Sequence, residues 1–407
     1  MCFHAYYTLC VKQRQRFRFY PTSAQQATLA RVFGSCRFVY NWALRLRTDA
    51  FAVGKSINYN QSSTALTALK RQDEYFWLNV ISCVPTQQVL RHLQTAFRNF
   101  FEKRTRYPSF KSKHGKQAAE YTRSAFKYDA VNHILSISQL GKLKIHWSQK
   151  FTSIPTTVTI TKDRAGRYFV TLVLDEAVKP LPKTGEVVGI DLGISRLATL
   201  SNGERIPNPR HLRSSEQKLA RAQHVLSRRK KGSGRWNRAR LRVAKLHAHI
   251  ADARVDYLHK VTTDLIRRFD VICMEDLHIR GMLRNHCLAK SLSDAGLGQF
   301  SQMVEYKCAW YGKELRRVDR FYPSSKRCNT CGHVVASLPL SVREWDCPEC
   351  ATHHDRDENA SKNILGAGLA PTARGGRVRP AAAKVTVGTV CRSVNHLEPP
   401  GSGIPRL

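Results

Sequence analysis

Three acidic residues stand where the sequence makes a charged side chain costly. Asp191 follows the apolar run of VVGIDLG, Glu275 follows that of VICMEDL, and Asp357 lies in HHDRDENASKNIL, where a helix is expected to begin. A carboxylate beside an apolar strand is unfavourable unless it is paired or binds a metal ion. Two strand ends and a helix start can bring three carboxylates to one point, which suits hard divalent cations. Two such ions can hydrolyse a phosphodiester, so we predict metal-dependent phosphodiester chemistry.

Each acid also has a simpler interpretation. GIDLG could be an ordinary strand followed by a turn, and either Asp355 or Asp357 could merely cap the helix that follows. Asp276 competes with Glu275 for the inward face of its strand. Strand alternation places Cys273 on the same face as Glu275, which does not decide between the two acids.

Four cysteines have the spacing of a metal site. Cys328-x-x-Cys331 is followed, after fifteen residues, by Cys347-x-x-Cys350. A tight turn can supply two thiolates at this spacing, and two such turns form a zinc ribbon. Gly332 suits the first turn. Four thiolates leave no open coordination position, so we predict one structural Zn²⁺.

The net charge of the 407-residue chain points to a polyanionic partner. Lys and Arg number 67 against 30 Asp and Glu, which gives a formal net charge of +37. Nucleic acid is the expected partner, with a basic membrane-surface protein as the alternative. The sequence lacks a run of about 18 apolar residues, so we expect no membrane span. Twelve cysteines without a secretion signal indicate a reducing compartment.

Two basic stretches are candidate nucleic-acid contacts. Residues 213–245 contain twelve Lys or Arg and one acid, and residues 91–127 contain ten against two. A solvated helix face normally has more acids, so we favour phosphate binding. Aromatic residues within 91–127 could stack on bases, although Phe97, Phe100 and Phe101 have the spacing of core residues. The candidate contacts are Arg228, Arg229, Lys230, Lys231, Lys111 and Lys113.

The periodicity of apolar residues divides the chain into segments that would position these groups. Alternation predicts a strand at 11–20 that pairs into a later β-domain, with a helical insertion between. We expect strands at 187–190, 196–200 and 269–274, basic helices at 211–231 and 235–268, and a helix at about 295–317. The segment boundaries are 1–20 (first strand of the β-domain), 21–124 (helical), 125–183 (rest of the β-domain), 184–320 (α/β), 321–353 (zinc ribbon), 354–366 (last acidic motif and helix) and 367–407 (disordered tail).

The order of these motifs resembles the TnpB family of insertion-sequence proteins, which is related to type V CRISPR effectors. The resemblance covers nearly the whole chain to about residue 365. One departure is Ser361, where the family usually has alanine. The matching pieces are FVYNW (38–42), YPSFKSK (107–113), GIDLG, SRRKK (227–231), MEDL, SDAG (293–296), YPSSKRC (322–328), the cysteine pairs and HDRDENASKNIL.

The resemblance implies an α/β fold with a RuvC-like (RNase H-fold) nuclease domain in 184–320, interrupted by the basic helices. Its nuclease acids carry over as Asp191, Glu275 and Asp357. Asp357 is chosen over Asp355 because the family's acid lies two residues before the asparagine, here Asn359. These acids would hold Mg²⁺, as two ions, with Mn²⁺ as an alternative. The β-domain and its helical insertion would hold the guide heteroduplex and read a short motif beside the target.

The resemblance therefore implies an RNA-guided DNA endonuclease encoded by a transposable element. Its partners would be a transposon-derived guide RNA and double-stranded target DNA, with one protein chain in each ribonucleoprotein. It would act in the prokaryotic cytoplasm, at the nucleoid. Two alternatives stay open: a transposase or transposition-regulating DNA-binding protein with an RNase H-like fold, and a non-enzymatic zinc-containing nucleic-acid binder.

Overall fold

The computed structural model describes residues 9–339 and 341–370 and the backbone of two short strands further on. The chain forms two compact units. The N-terminal unit consists mainly of Lys12–Glu176 and Arg229–Lys245, and the C-terminal unit mainly of Ala177–Arg228 and Leu246–Gly388.

The N-terminal unit combines a β-sheet with three helices. Its elements are β1 (Leu9–Phe19), α1 (Ser23–Ala52), α2 (Tyr59–Leu69), a 3₁₀ helix (Asp73–Asn79), α3 (Cys83–Phe101), β2 (Gln117–Thr122), a short 3₁₀ turn (Arg123–Ala125), β3 (Phe126–Asp129), β4 (Ile134–Ile137), β5 (Gly141–Lys142), β6 (Ile145–His146), β7 (Thr157–Lys162) and β8 (Tyr168–Val178).

The strand predicted at 11–20 pairs into this sheet, as expected. The main sheet has the order β1–β8–β7–β2, and β6 also pairs with β1. Alternation along β1 buries Phe17 and Phe19 and turns Arg18, between them, to the other face, where it is half-buried. The helical insertion then starts at a capping box. Thr22 Oγ1 accepts a hydrogen bond from the Gln25 N–H, and Gln25 Oε1 accepts one from the Thr22 N–H.

One element of the N-terminal unit differs from the sequence prediction. Residues 21–124 were expected to be helical, but Gln117–Thr122 forms β2, which pairs antiparallel with β7. Ala119 and Tyr121 alternate inward on this strand and are each 1% exposed. The helices of the insertion therefore end at Phe101.

The C-terminal unit is built on a second sheet. Its elements are β9 (Val187–Leu192), β10 (Arg196–Leu200), β11 (Arg205–Pro207), α4 (His211–Ser227), α5 (Gly234–Arg268), which begins in the other unit, β12 (Val271–Glu275), α6 (Ile279–Met282), α7 (His286–Ala295), α8 (Leu297–Tyr311), β13 (Glu314–Val318), β14 (Glu344–Asp346), β15 (His353–Asp355) and α9 (Arg356–Leu369).

Strand pairing in the second sheet places β9 and β12 side by side. The order is β11–β10–β9–β12–β13, in which β11, β10 and β9 are antiparallel neighbours and β9, β12 and β13 run parallel. The short backbone strands β16 (Arg379–Pro380) and β17 (Cys391–Arg392) extend the second and first sheets, pairing with β13 and β1. The carboxyl ends of β9 and β12 therefore meet at one edge.

The expected strands and the break between the two basic helices are present, but two helix ends differ from the prediction. The helix expected to reach 317 stops at Tyr311, because Gly312 adopts φ +70° and ends it. Glu314–Val318 is instead β13, parallel to β12. α9 continues to Leu369, three residues beyond its expected end. The rest of the predicted disordered tail lies outside the described residues, apart from the two strand backbones. Within the described residues, no helix combines the length and apolar character needed to cross a membrane.

Candidate active site and metal centres

The strand register places Asp191 and Glu275 at neighbouring positions. β12 pairs parallel with β9, and Met274 lies opposite Ile190. The next residues along the two strands are Glu275 and Asp191. Registered neighbours in parallel strands point to the same face, about 4.8 Å apart. The two apolar runs noted in the sequence therefore deliver their acids to one place.

Helix α9 covers the face to which both acids belong. A Cβ on Gly189 would lie 2.2 Å from the carbonyl oxygen of Ser361, so this face of β9 touches the helix. A Cβ on Gly368 would lie 2.4 Å from Cys273 Sγ, so the same holds for β12. Asp191 and Glu275 each lie two residues further along their strands and share the faces of Gly189 and Cys273.

The same alternation separates Glu275 from Asp276. Asp276 points to the other face, where its side chain is 58% exposed and pairs with Arg320 at 3.2 Å. Glu275 is half-buried and accepts a hydrogen bond from Ser324 Oγ at 2.5 Å. The geometry therefore favours Glu275 as the inward acid.

The start of α9 assigns different tasks to Asp355 and Asp357. Asp355 is the N-cap, and its Oδ1 accepts from the N–H groups of Asp357 and Glu358, each at 3.0 Å. Its Oδ2 pairs with Arg205 Nη2 at 2.8 Å and with Arg196 Nη1 at 3.6 Å. The capping role proposed for either acid thus belongs to Asp355, and Asp357 lies in the first turn of the helix.

Electrostatics links the three predicted acids. Burial raises the pKa of Asp191 to about 7, with further increases from the charges of Glu275 and Asp357 and a smaller opposing effect from Arg356. Burial also raises the pKa of Glu275, against the hydrogen bond from Ser324. Asp357 lies 3.5 Å from Arg343 Nη1. A buried carboxylate with two further carboxylates beside it is a donor set suited to a hard divalent cation.

The four cysteines converge as the spacing predicted. Their sulfur atoms all lie within 4.8 Å of one another, the only such group of three or more potential metal ligands among the described residues. Cys328 and Cys350 are 3.6 Å apart at sulfur, as are Cys331 and Cys347. Tetrahedral zinc with Zn–S bonds of about 2.3 Å requires sulfur separations of about 3.8 Å. The four thiolates therefore fit Zn²⁺.

Two equivalent turns build this zinc knuckle. The Gly332 N–H donates to the Cys328 carbonyl at 3.0 Å, and the Ala351 N–H donates to the Cys347 carbonyl at 2.8 Å. Gly332 has φ +83° and Ala351 has φ +55°. The left-handed conformation costs glycine little and alanine more. The sequence identified the first position but not the strained alanine at the second.

Sequence reasoning missed His354 and Ser324. His354 is 5% exposed, its Nε2 lies 3.0 Å from Cys328 Sγ, and its ring packs on Trp345 at 4.8 Å. Donation to a ligating sulfur is the usual arrangement around a metal ligand. Ser324 lies in the YPSSKRC segment, but the motif does not mark it as a contact of Glu275. No spacing rule marks either residue, because their roles depend on contacts between distant segments.

The predicted nucleic-acid contacts lie on the surface. Arg228, Arg229, Lys230 and Lys231 are exposed between α4 and α5, and no acidic partner is recorded for them within the described residues. This arrangement leaves their charge available to phosphates.

The YPSFKSK segment is held by the FVYNW motif of α1. Asn41 accepts from the Lys111 N–H at 2.7 Å and donates to the Lys111 carbonyl at 3.0 Å. Lys111 Nζ lies 3.9 Å from the centre of the Tyr40 ring, and desolvation there lowers the pKa of Lys111. Both predicted lysines are exposed residues, and Lys111 is the one of the two that contacts Tyr40.

Of the aromatic residues near the end of α3, Phe97 packs against the hydrophobic core, and its neighbours extend from it to the surface. Phe101 is 67% exposed and Tyr107 is 45% exposed. Phe97 and Phe100 are partly buried, and each contacts both Phe101 and Tyr107. Of the two interpretations left open by the sequence, the core one is confirmed for Phe97 and wrong for Phe101.

Three family models match parts of the chain. Residues 159–286 match OrfB_IS605, described as "Probable transposase", and residues 298–364 match the Cas12f1-like TNB domain. Residues 11–56 match the helix-turn-helix domain of the OrfB_IS605 family. In this structure the last range forms β1, the single long helix α1 and the residues that follow it.

Two solved structures share the fold. The Cas12f1–sgRNA–target DNA complex matches with a TM-score of 0.52 at 15% identity, covering 84% of this chain and 82% of that chain. The mini-RNA-guided endonuclease CRISPR-Cas_phi3 matches with a TM-score of 0.52 at 8% identity, covering 90% and 94%. The mixed helix and sheet architecture is thus that of Cas12-type effectors.

Curated relatives match over almost their whole length. A Streptomyces pristinaespiralis protein named "Putative RNA-guided DNA endonuclease" is 48% identical over 98% of this chain and 99% of its own. The Escherichia coli K12 protein named "Putative RNA-guided DNA endonuclease InsQ" is 31% identical over 91% and 96%. With the motif order and the site geometry, these similarities show that the chain belongs to the TnpB (OrfB, IS605-type) family.

Proposed function

We propose that this chain is an RNA-guided DNA endonuclease of an insertion sequence that cuts double-stranded DNA at a site formed by Asp191, Glu275 and Asp357. The observation that carries the proposal is the convergence of these acids: the register of β9 and β12 makes Asp191 and Glu275 neighbours, and α9, whose first turn carries Asp357, packs on the same face. The names of the closely related proteins support the same activity.

We propose that the C-terminal unit is a RuvC-like (RNase H-fold) domain. Two features support this fold. The sheet has three antiparallel strands followed by two parallel ones, and the acids lie at the ends of β9 and β12 and at the start of α9. The first sheet with its helical insertion would be the recognition part, with the helices ending at residue 101 instead of 124. Residues 321–353, as a zinc ribbon, would contact the target.

In this mechanism the protein holds its three acids in fixed positions. Asp191 and Glu275 are fixed by adjacent strands, and Asp357 by the first turn of α9, which Asp355 caps. Mg²⁺, as two ions or replaced by Mn²⁺, would activate the attacking water and stabilise the leaving oxygen. Exposed basic residues, including Arg228–Lys231, would hold the nucleic-acid backbone, and base pairing with the guide would supply specificity.

The proposed partners follow from the charge and the comparisons. One chain would assemble with a transposon-derived guide RNA and bind double-stranded DNA next to a short flanking motif. The assembly would work in the prokaryotic cytoplasm at the nucleoid. A net charge of +37 is compatible with stable association with a polyanion.

The test is cleavage by the purified ribonucleoprotein with its guide segment redesigned. The cut should move to the newly matched DNA beside the same flanking motif. Asp191→Ala, Glu275→Ala and Asp357→Ala should each lower the cleavage rate by several orders of magnitude while target binding persists. The matched control is the neighbouring acid, Asp276→Ala, because Asp276 lies on the other face of the strand and pairs with Arg320. Asp355→Ala removes the cap of α9, so it should cost about 1 kcal/mol of stability and slow cleavage far less than loss of any of the three acids. Cleavage that ignores the RNA sequence would refute the proposal.

A second candidate is a transposase, which the description of the family model over residues 159–286 favours. It would join a DNA end to a new strand rather than hydrolyse both strands. Strand-transfer products from donor and target DNA without RNA would support it. Their absence, together with RNA-dependent double-strand cuts, would leave the endonuclease.

A further inference from the structure

The segment leading into the zinc knuckle reaches the proposed active site. Ser324, four residues before Cys328, is 6% exposed, and its hydroxyl donates to Glu275 Oε1 at 2.5 Å. The bond holds one oxygen of Glu275 and leaves Oε2 for a ligand.

Two buried asparagines of α9 fix the backbone of the same segment. Asn363 donates through Nδ2 to the Ser324 carbonyl at 2.9 Å and to the Arg327 carbonyl at 2.5 Å. Asn359 donates to the Arg327 carbonyl at 2.7 Å and accepts from the Asn329 N–H at 3.0 Å. The exposed fractions of Asn359 and Asn363 are 2% and 6%. The helix that carries Asp357 thus also sets the position of Ser324.

We propose that Ser324 is a positioning residue that orients the Glu275 carboxylate for metal binding and that the zinc knuckle and α9 together hold it there. The inference rests on the proposed function, because it takes Glu275 as a metal ligand of the proposed site. A glutamate side chain has several rotamers, and a partner that fixes one of them lowers the entropy lost on metal binding. Partners of metal ligands affect metal affinity or activity by about 10–100-fold.

The variants are Ser324→Ala, Ser324→Thr and the adjacent control Ser325→Ala. Ser325 is half-buried and makes no recorded side-chain hydrogen bond within the described residues. In the ribonucleoprotein, Ser324→Ala should raise the Mg²⁺ concentration for half-maximal cleavage by about tenfold or more, and excess Mg²⁺ should recover part of the rate. Ser324→Thr, which keeps the hydroxyl, and Ser325→Ala should cleave like the unsubstituted chain.

Metal affinity can be measured separately from cleavage. Mn²⁺ binding to the ribonucleoprotein, followed by electron paramagnetic resonance, should weaken about tenfold in Ser324→Ala at the sites that Asp191→Asn removes. Zinc content, melting temperature and target affinity should stay unchanged. Equal Mn²⁺ affinity in Ser324→Ala and the unsubstituted chain would overturn the inference, as would loss of zinc or of melting temperature in parallel with activity. If the unsubstituted ribonucleoprotein fails to cut guide-matched DNA but Ser324→Ala still weakens Mn²⁺ binding, the proposed function fails and the positioning role stands.

Discussion

Replacing Gly189 by alanine would put a methyl group into the contact between β9 and α9. That Cβ would lie 2.2 Å from the Ser361 carbonyl oxygen and 2.7 Å from the Leu365 nitrogen. Both atoms belong to helix backbone, so neither can rotate aside. The gap must open by about 1 Å to reach ordinary van der Waals contact.

The size of the effect follows from this displacement. Overpacking of a well-packed interior costs about 1–3 kcal/mol, so we expect Gly189→Ala to lower the free energy of unfolding by that amount. α9 carries Asp357 in its first turn, and β9 carries Asp191 two residues after the substitution. A relative shift of about 1 Å between catalytic groups can reduce a rate by about 10²-fold. Cleavage should therefore fall further than the loss of folded protein explains.

The matched control is Gly366→Ala on the same helix, where an added Cβ would have no other atom within 4 Å. Alanine there should stabilise the helix by about 0.5–1 kcal/mol. Chemical denaturation gives the stability, and single-turnover cleavage at saturating ribonucleoprotein gives the rate. If both variants melt and cut alike, α9 does not depend on close packing at Gly189, and the positioning argument is wrong.

Three further outcomes are expected. Ala351→Gly should stabilise the zinc knuckle by up to about 1 kcal/mol by relieving its left-handed backbone, measured as resistance to chelators, whereas Cys328→Ser should lose zinc in elemental analysis and unfold the knuckle. Charge reversal at Arg229 and Lys230 should weaken RNA binding and flatten its dependence on salt, measured by titration at several ionic strengths; an unchanged slope would contradict phosphate contact. The pKa of Asp191 is raised in the folded state from 3.8 to about 7, so the contribution of Asp191 to stability falls as the pH rises from about 4 to about 7. Asp191→Asn should therefore raise the metal-free melting temperature at about pH 8 and leave it unchanged at about pH 4.

The sequence located the site better than it assigned the individual acids. An acid after an apolar strand is informative by itself, and this placed Asp191 and the pair Glu275 and Asp276. Choosing within the pair required knowing which face of β12 the helix covers, and alternation alone cannot say that. The choice of Asp357 over Asp355 came from a resemblance, whereas the structure supports it physically through the bonds that Asp355 makes as a cap.

Two segments predicted as helical are strands in the structure, because distant strands pair with them. Residues 117–122 and 314–318 carry charged and helix-compatible side chains, and only pairing with β7 and β12 makes them strands. Tertiary contacts of this kind override intrinsic preference. Gly312 was the available signal for the second error, since a glycine at the end of a helical pattern commonly ends the helix.

The candidate site brings together charges that oppose one another, and this explains how the surrounding structure is built. Burial, and then the charges of Glu275 and Asp357, raise the pKa of Asp191 to about 7, so ionising Asp191 is unfavourable in the metal-free fold. If α9 could move, Asp357 would move away from Asp191 and Glu275, and the repulsion between their carboxylates would fall. Close glycine packing at both ends of its contact with the sheet, the Asp355 cap held by Arg205, and the two asparagines bonded to the knuckle segment all oppose that movement. The stability lost at Asp191 is therefore offset by its neighbours. Substitutions in those neighbours should lower stability and activity together, whereas neutralising Asp191 should lower activity and raise stability.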